Sequence, residues 1–113
     1  MKITFSVQGS EEYPYTVSFN KSDDGLIATC DCNAALNGMH CKHRLRILQG
    51  SREGIISKNL DKVEIVKSWY PGSSIETAVI DLEKAEEEFK TYRNKIHRLK
   101  TNVAICLLGK NGK

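Results

Sequence analysis

The chain has 113 residues and a formal net charge of +3, with 40% hydrophobic and 27% charged residues. These values are typical of a folded globular domain and argue against a disordered chain. The longest apolar run, residues 103–108, is far shorter than the roughly 20 residues of a membrane span, and so small a charge does not by itself indicate nucleic-acid binding.

The first fifty residues are predicted to form a small antiparallel sheet followed by a short helix. Three strands and one helix are predicted, over residues 3–7, 15–19, 26–30 and 42–49. Apolar residues alternate with polar ones in the first two strands, and turn residues separate all three. Residues 33–40 are predicted to be a loop, and Leu45 and Leu48 define the apolar side of the helix. The N-terminus alternates like a strand and lacks the apolar core of a signal peptide, so the expected compartment is the cytoplasm.

Residues 30–43 contain the most informative motif, the pattern Cys-x-Cys, eight residues, Cys-x-His. Its four side chains are Cys30, Cys32, Cys41 and His43. Residues i and i+2 of a strand project to one face, so the first pair can share an ion. In a helix such residues lie about 200° apart, so Cys41 is expected just before the helix that contains His43. Three thiolates and an imidazole complete a closed tetrahedral shell, which predicts one structural Zn²⁺ per chain.

This arrangement resembles the SWIM zinc finger, whose signature is Cys-x-Cys, a variable loop and Cys-x-His on a strand–strand–helix unit. A hydrophobic strand before the first cysteine and an apolar helix after the histidine also match, so the resemblance covers residues 15–49. SWIM domains occur in chromatin remodellers, transposases and recombination-associated proteins. The resemblance therefore implies a binding role towards DNA or protein.

Other interpretations of these residues are open. The three clustered cysteines could be small buried hydrophobic residues or a thiol redox pair, and His40 could replace His43 as a ligand. Cys106 is interpreted as a filler of a helix interface. An enzyme is not expected, because the sequence has no Gly-rich phosphate loop, no paired catalytic carboxylates and no open metal site.

Residues 42–52 contain four cations and no acid, and the cations are Lys42, Arg44, Arg46 and Arg52. Lys42 and Arg46 are four residues apart and share a helix face. Such a face could contact phosphates largely without sequence preference, or it could contact a protein partner. The alternative is an ordinary solvated helix face.

Residues 74–108 are predicted to form one long helix, which Ser73 and Glu76 begin as a capping box. Its apolar residues recur at heptad spacing, and the predicted dimerisation residues are Ile75, Leu82, Phe89, Tyr92, Ile96, Leu99 and Val103. Residues 76–88 hold six acids and one lysine, whereas residues 90–100 hold five bases and no acid.

This charge order favours one orientation of two paired helices. A parallel pair would place Asp81 beside Glu86 and Lys95 beside Lys100, which repel, whereas an antiparallel pair sets the acidic half against the basic half. The pattern therefore predicts an antiparallel homodimer. The alternative is that the helix folds back on the rest of its own chain.

Together these patterns predict an α+β fold: a small antiparallel sheet with a zinc-bound ββα finger, followed by a long C-terminal helix with a heptad pattern. The predicted divisions are a SWIM-like zinc-binding domain (1–50), a linker with a short helix over 60–70 (51–73) and the dimerisation helix (74–108). The predicted function is a dimeric zinc-binding adaptor or nucleic-acid-binding protein. The alternative is a protein–protein interaction module, or an inhibitor that docks on a partner enzyme.

Overall fold

The computed structural model describes residues 1–109 and confirms the α+β fold. In chain order its elements are the strands β1 (Lys2–Val7), β2 (Tyr15–Ser22) and β3 (Gly25–Cys30), the helices α1 (Asn33–Leu36) and α2 (Lys42–Leu48), a 3₁₀ turn (Leu60–Lys62), and the helices α3 (Val63–Trp69) and α4 (Ser74–Leu107). The chain divides into two compact units, Met1–Thr77 and the segment that starts at Ala78. Within residues 1–109, no helix combines the length and apolar character that crossing a lipid bilayer demands.

The three strands form an antiparallel sheet in the order β1-β2-β3. Phe5 is opposite Val17 in the first pair of strands, and Val17 is opposite Cys30 in the second. Strand alternation turns these side chains to the same face, where the rings of Phe5 and Phe19 meet edge to face at 6.0 Å between centroids. The register therefore brings Cys30 to the core side of the sheet, at the end of β3.

Helix α2 packs on the sheet through Ile47 and Leu48, both of which are buried. The prediction for this helix was half right, because Leu45 is only partly buried and Ile47 takes its place in the core. His43 and Ile47 are four residues apart and share a helix face. The rotation that turns His43 towards the cysteines therefore also turns Ile47 towards the core.

The segment 51–73 differs from the linker that the sequence predicted, because it is part of the first unit. Ile55 is buried and forms an isolated β-bridge with Val7. The backbone N–H of Ile56 donates to the carbonyl of Ser6 at 2.8 Å. These contacts satisfy backbone groups at the open edge of β1, and α3 completes the core with two buried valines.

Helix α4 begins with the capping contacts that the sequence indicated. The hydroxyl of Ser73 accepts a hydrogen bond from the N–H of Glu76 at 3.1 Å, and the Glu76 carboxylate accepts one from the N–H of Gly72 at 2.9 Å. These bonds satisfy N–H groups that have no partner within the helix. The observed end, Leu107, lies one residue before the predicted one.

Candidate metal centre

Four side chains come together in the fold from the end of β3 and the starts of α1 and α2: Cys30, Cys32, Cys41 and His43. The metal-binding atoms of these four side chains all lie within 4.8 Å of one another. His40, the alternative ligand, is exposed and lies outside this group. The structure thus shows a Cys₃His cluster that could hold a metal ion, and it favours His43 as the imidazole.

Local backbone structure positions each of the four side chains. Cys30 ends β3, Cys32 directly precedes α1, and Cys41 directly precedes α2, so that His43 lies in the first turn of α2. This is the placement of Cys41 and His43 that the helix geometry required. Helix α1 corrects the prediction of a continuous loop over residues 33–40.

The short helix α1 affects the chemistry of Cys32. Burial acts to raise the pKa of the Cys32 thiol, but the N–H of Ala35, the thiols of Cys30 and Cys41, and the N–H of Ala34 outweigh it and lower that pKa below its ordinary value. Backbone N–H groups stabilise a thiolate by donating to its sulfur. This turn of helix therefore prepares Cys32 to act as an anionic ligand.

At Cys30 and His43, unlike at Cys32, burial has the dominant effect on the pKa. Burial raises the pKa of the Cys30 thiol to about 12. Burial also lowers the pKa of His43, and the positive charges of Lys42 and Arg46 lower it further. A lowered pKa keeps the imidazole neutral, which is the form that binds a metal, whereas the Cys30 proton must leave when a metal binds.

Arg44 has a structural role that the sequence analysis missed. Its Nε–H donates to Cys41 Sγ at 3.1 Å, its Nη1 to the carbonyl of Ala28 at 3.2 Å, and its Nη2 to the carbonyl of Met39 at 2.7 Å. One guanidinium thus joins strand β3, the segment before α2 and a thiol of the cluster. The sequence feature that could have indicated this role is the position of Arg44 three residues after Cys41, which places both side chains on one side of the start of α2.

The imidazole of His43 is held in place by an aromatic neighbour. The rings of Tyr15 and His43 lie 4.8 Å apart between centroids, and Nδ1 of His43 lies 3.9 Å from Cys30 Sγ. A side chain at Gly9 would place its Cβ 2.7 Å from the Tyr15 ring. Gly9 therefore leaves the space in which Tyr15 packs against His43, with Nδ1 towards the cysteines.

The donor set and its spacing fit a tetrahedral zinc ion. Zinc lies about 2.3 Å from sulfur and about 2.0 Å from a histidine nitrogen, which separates its ligand atoms by roughly 3.5–3.8 Å. The four ligand atoms here span at most 4.8 Å, so a small contraction would complete the shell. Four protein ligands leave no coordination position for water or substrate, which is the structural kind of site.

The four predicted contact cations differ in their surroundings. Lys42 and Arg46 are exposed on α2. Arg44 is partly buried and held by the three hydrogen bonds above. Arg52 lies 3.8 Å from the carboxylate of Glu64 in an exposed ion pair. Of the predicted set, therefore, Lys42 and Arg46 present their charges most openly.

The predicted dimerisation residues are divided between the two units, with Ile75 in the first and the others in the second. Ile75 is partly buried and packs against the core of the first unit. From Ala78 onward the heptad positions are exposed, and we call this set the apolar stripe: Ala78, Leu82, Ala85, Phe89, Tyr92, Ile96, Leu99 and Val103. Its six large side chains are between 41% and 67% exposed.

The comparisons with known proteins do not assign a family. No protein-family model, no curated protein and no solved structure matches the chain. The resemblance to the SWIM finger therefore depends on the ligand pattern and on the strand–strand–helix order around it.

Proposed function

We propose that this chain is a zinc-binding adaptor or nucleic-acid-binding protein that is built on a SWIM-type finger and dimerises through α4. The observation that carries the proposal is the cluster of three thiols and one imidazole within 4.8 Å. Zinc is the metal that this donor set favours, because thiolate and imidazole ligands in a closed tetrahedron are typical of structural zinc. One ion per chain would tie β3 to the start of α2.

The metal assignment is tested by the zinc content of the purified protein. Native mass spectrometry should find one zinc per chain, and the Cys41→Ser variant should lose it. Cys106→Ser is the matched control, since Cys106 is exposed on α4 and its loss should leave the zinc in place. Full zinc retention and unchanged melting in Cys41→Ser would contradict the proposal.

A binding role rather than catalysis is supported by the closed ligand set. Catalytic zinc needs an open position for water or substrate, and this cluster offers four protein ligands for four positions.

We propose the cytoplasm as the compartment, because free clustered cysteines bind metal most readily where thiols stay reduced.

Nucleic acid is the first candidate partner, and the exposed pair Lys42 and Arg46 favours it. These residues lie on one face of α2 and line a cleft of about 220 Å³ with Tyr15 and His43. Cations on such a face would contact phosphates, which gives binding with little sequence preference. Glu53 also lines this cleft. Its negative charge confines the positive potential to the immediate surroundings of Lys42 and Arg46.

Salt dependence separates this candidate from binding to a protein partner. Phosphate contacts weaken steeply as the salt concentration rises, and Lys42→Glu/Arg46→Glu should abolish them. Lys58→Glu/Lys62→Glu makes the same change of charge at other exposed positions and should retain binding. If neither DNA nor RNA binds the wild-type protein at low salt, the alternative of a protein–protein interaction module or inhibitor is favoured instead.

Dimerisation is supported by the exposure of the apolar stripe. Single helices depend on packing of an apolar face for most of their stability, and a second copy would supply that packing. Light scattering at micromolar concentration should give twice the chain mass of 12.7 kDa. A monomer that stays fully helical would contradict this part of the proposal.

A further inference from the structure

The apolar stripe and the charges beside it bear on the direction and register in which two copies of α4 would pair. Helix α4 has 34 residues, which corresponds to about 50 Å at 1.5 Å per residue. None of its described residues is buried, and Phe89 and Tyr92 near its middle are 67% and 66% exposed. A surface this long can in principle pair in several offsets, and its residue pattern distinguishes among them.

We propose that α4 pairs antiparallel with α4 of a second copy in a single register, in which Phe89 packs against Tyr92 of the second copy. This inference rests on the dimerisation proposed above and specifies its interface. The antiparallel direction follows from the charges, because residues 76–88 are acidic and residues 90–100 are basic. Opposite halves then meet along the whole contact.

The proposed register gives every member of the apolar stripe a partner. Antiparallel helices pair an a position with a d position, and the offset that pairs Phe89 with Tyr92 fixes all the other layers. It pairs Ala85 with Ile96, Leu82 with Leu99, and Ala78 with Val103. Each alanine then faces a β-branched residue, which keeps the two helices at a similar distance along the stripe.

The flanking charges agree with the same register. In antiparallel pairs the e positions face one another on one side of the stripe, and the g positions face one another on the other. Here Glu86 faces Arg93 across the e side, and Glu88 faces Lys95 across the g side. Two-fold symmetry repeats both contacts, so four opposite-charge pairs flank the central aromatic layers.

Neighbouring registers are disfavoured by the same charges. A slip of one heptad in one direction brings Glu86 and Glu88 each opposite its own copy. A slip in the other direction brings Arg93 and Lys95 each opposite its own copy. Both slips also leave apolar residues at the ends unpaired. Like charges at facing positions repel, so only the register with Phe89 on Tyr92 satisfies the packing and the charges together.

A charge-swap experiment tests this register on the full chain. Glu86→Arg/Glu88→Lys makes all four flanking positions basic, and Arg93→Glu/Lys95→Glu makes them all acidic. Each variant alone should self-associate on the order of 100-fold more weakly, because four attractive pairs become repulsive. An equimolar mixture should restore a dimer that contains one copy of each, detected by native mass spectrometry.

The matched control reverses two acids on the outer face of the same helix. Glu83→Lys/Glu87→Lys changes the net charge as much as the first variant does, but these residues occupy b and f positions away from the stripe. This control should dimerise like the wild-type protein. Loss of its dimer would show that total charge rather than facing pairs governs association, and would overturn the inference.

Disulfide mapping then distinguishes antiparallel from parallel pairing of the two helices. In the Leu82→Cys/Leu99→Cys variant, oxidation should join position 82 of one copy to position 99 of the other. A bond between the two positions 82 would indicate parallel helices and would overturn the inference. A wild-type protein that is monomeric would instead refute the proposed dimerisation, whereas a wild-type dimer whose charge variants both self-associate normally would refute only the register.

Discussion

The unit Met1–Thr77 and the part of α4 from Ala78 obtain their order from different sources. The first unit buries a small core of residues from the sheet, α2, α3 and the segment between them. A core of this size gives modest stability, and small domains often add a metal for that reason. Residues 78–107 of the second unit form one helix with its apolar stripe exposed. We therefore expect the first unit to respond to zinc and the second to protein concentration.

Removal of zinc by a chelator should reveal the largest difference between the two units. Structural zinc in small fingers contributes about 10–16 kcal/mol, which exceeds the total stability of many domains. Fluorescence of Trp69, the only tryptophan, should report loss of the core against which it packs. Far-ultraviolet circular dichroism at high protein concentration should still show a helix. Simultaneous loss of both signals would contradict the separation of the two units.

Two phenylalanines test the same comparison by mutation. Phe19 is fully buried in the first unit, whereas Phe89 is largely exposed on α4. Phe19→Ala should destabilise the first unit by about 3–5 kcal/mol at any protein concentration. Phe89→Ala should leave the unfolding of the first unit unchanged and weaken self-association. Equilibrium denaturation at two protein concentrations, followed by Trp69 fluorescence, measures the first effect, and light scattering measures the second. Equal effects on the first unit would contradict this expectation.

Two arginines of α2 sharpen the comparison within the finger. Arg44→Ala removes three hydrogen bonds, one of them to Cys41 Sγ, and should destabilise the zinc-loaded finger by about 2 kcal/mol. Arg46→Ala removes an exposed side chain of the same type and should change little. Transfer of zinc to a chromogenic chelator should be faster in Arg44→Ala only. Arg44→Lys should recover part of the loss, because lysine keeps the charge but not the planar fork.

A pH series should give the smallest effect, confined to the finger. The raised pKa of Cys30, about 12, means that its thiol is protonated in the metal-free protein at neutral pH. Zinc binds the thiolate, so binding releases this proton. Zinc affinity should therefore fall as the pH is lowered, about tenfold per pH unit for each proton released. Titration calorimetry in two buffers with different ionisation enthalpies measures that proton count. A count of zero at neutral pH would contradict the role of Cys30, and α4 should show no matching response.

Local patterns of the sequence predicted much of this structure. The alternation of Ile3, Phe5 and Val7 predicted β1, and the capping residues with the heptad spacing predicted α4 almost to its last residue. Such features arise from contacts within one element or from its repeating period. The ligand pattern likewise indicated which four side chains would meet, but not the backbone that positions them: β3 ends at Cys30, and Cys32 lies directly before α1 rather than on the same strand.

Contacts between distant segments were not accessible from those patterns. Ile55 and Ile56 are the only apolar residues between positions 51 and 59, and the bridge of Ile55 to Val7 depends on the edge that β1 leaves open. The role of Arg44 depends on how far α2 is rotated, and that rotation is set by His43 and Ile47 together. A seven-residue helix has too few apolar positions to reveal this rotation from the sequence alone.

The unequal shielding of the three thiols determines where chemical damage would begin. Cys32 and Cys41 are buried, whereas Cys30 is only partly buried at the end of β3. With zinc bound all three sulfurs would be thiolates, so exposure rather than pKa would decide which is oxidised or alkylated first. Peroxide or an alkylating reagent would therefore reach the strand end of the cluster before the helix end, and Cys30 would be the first ligand lost.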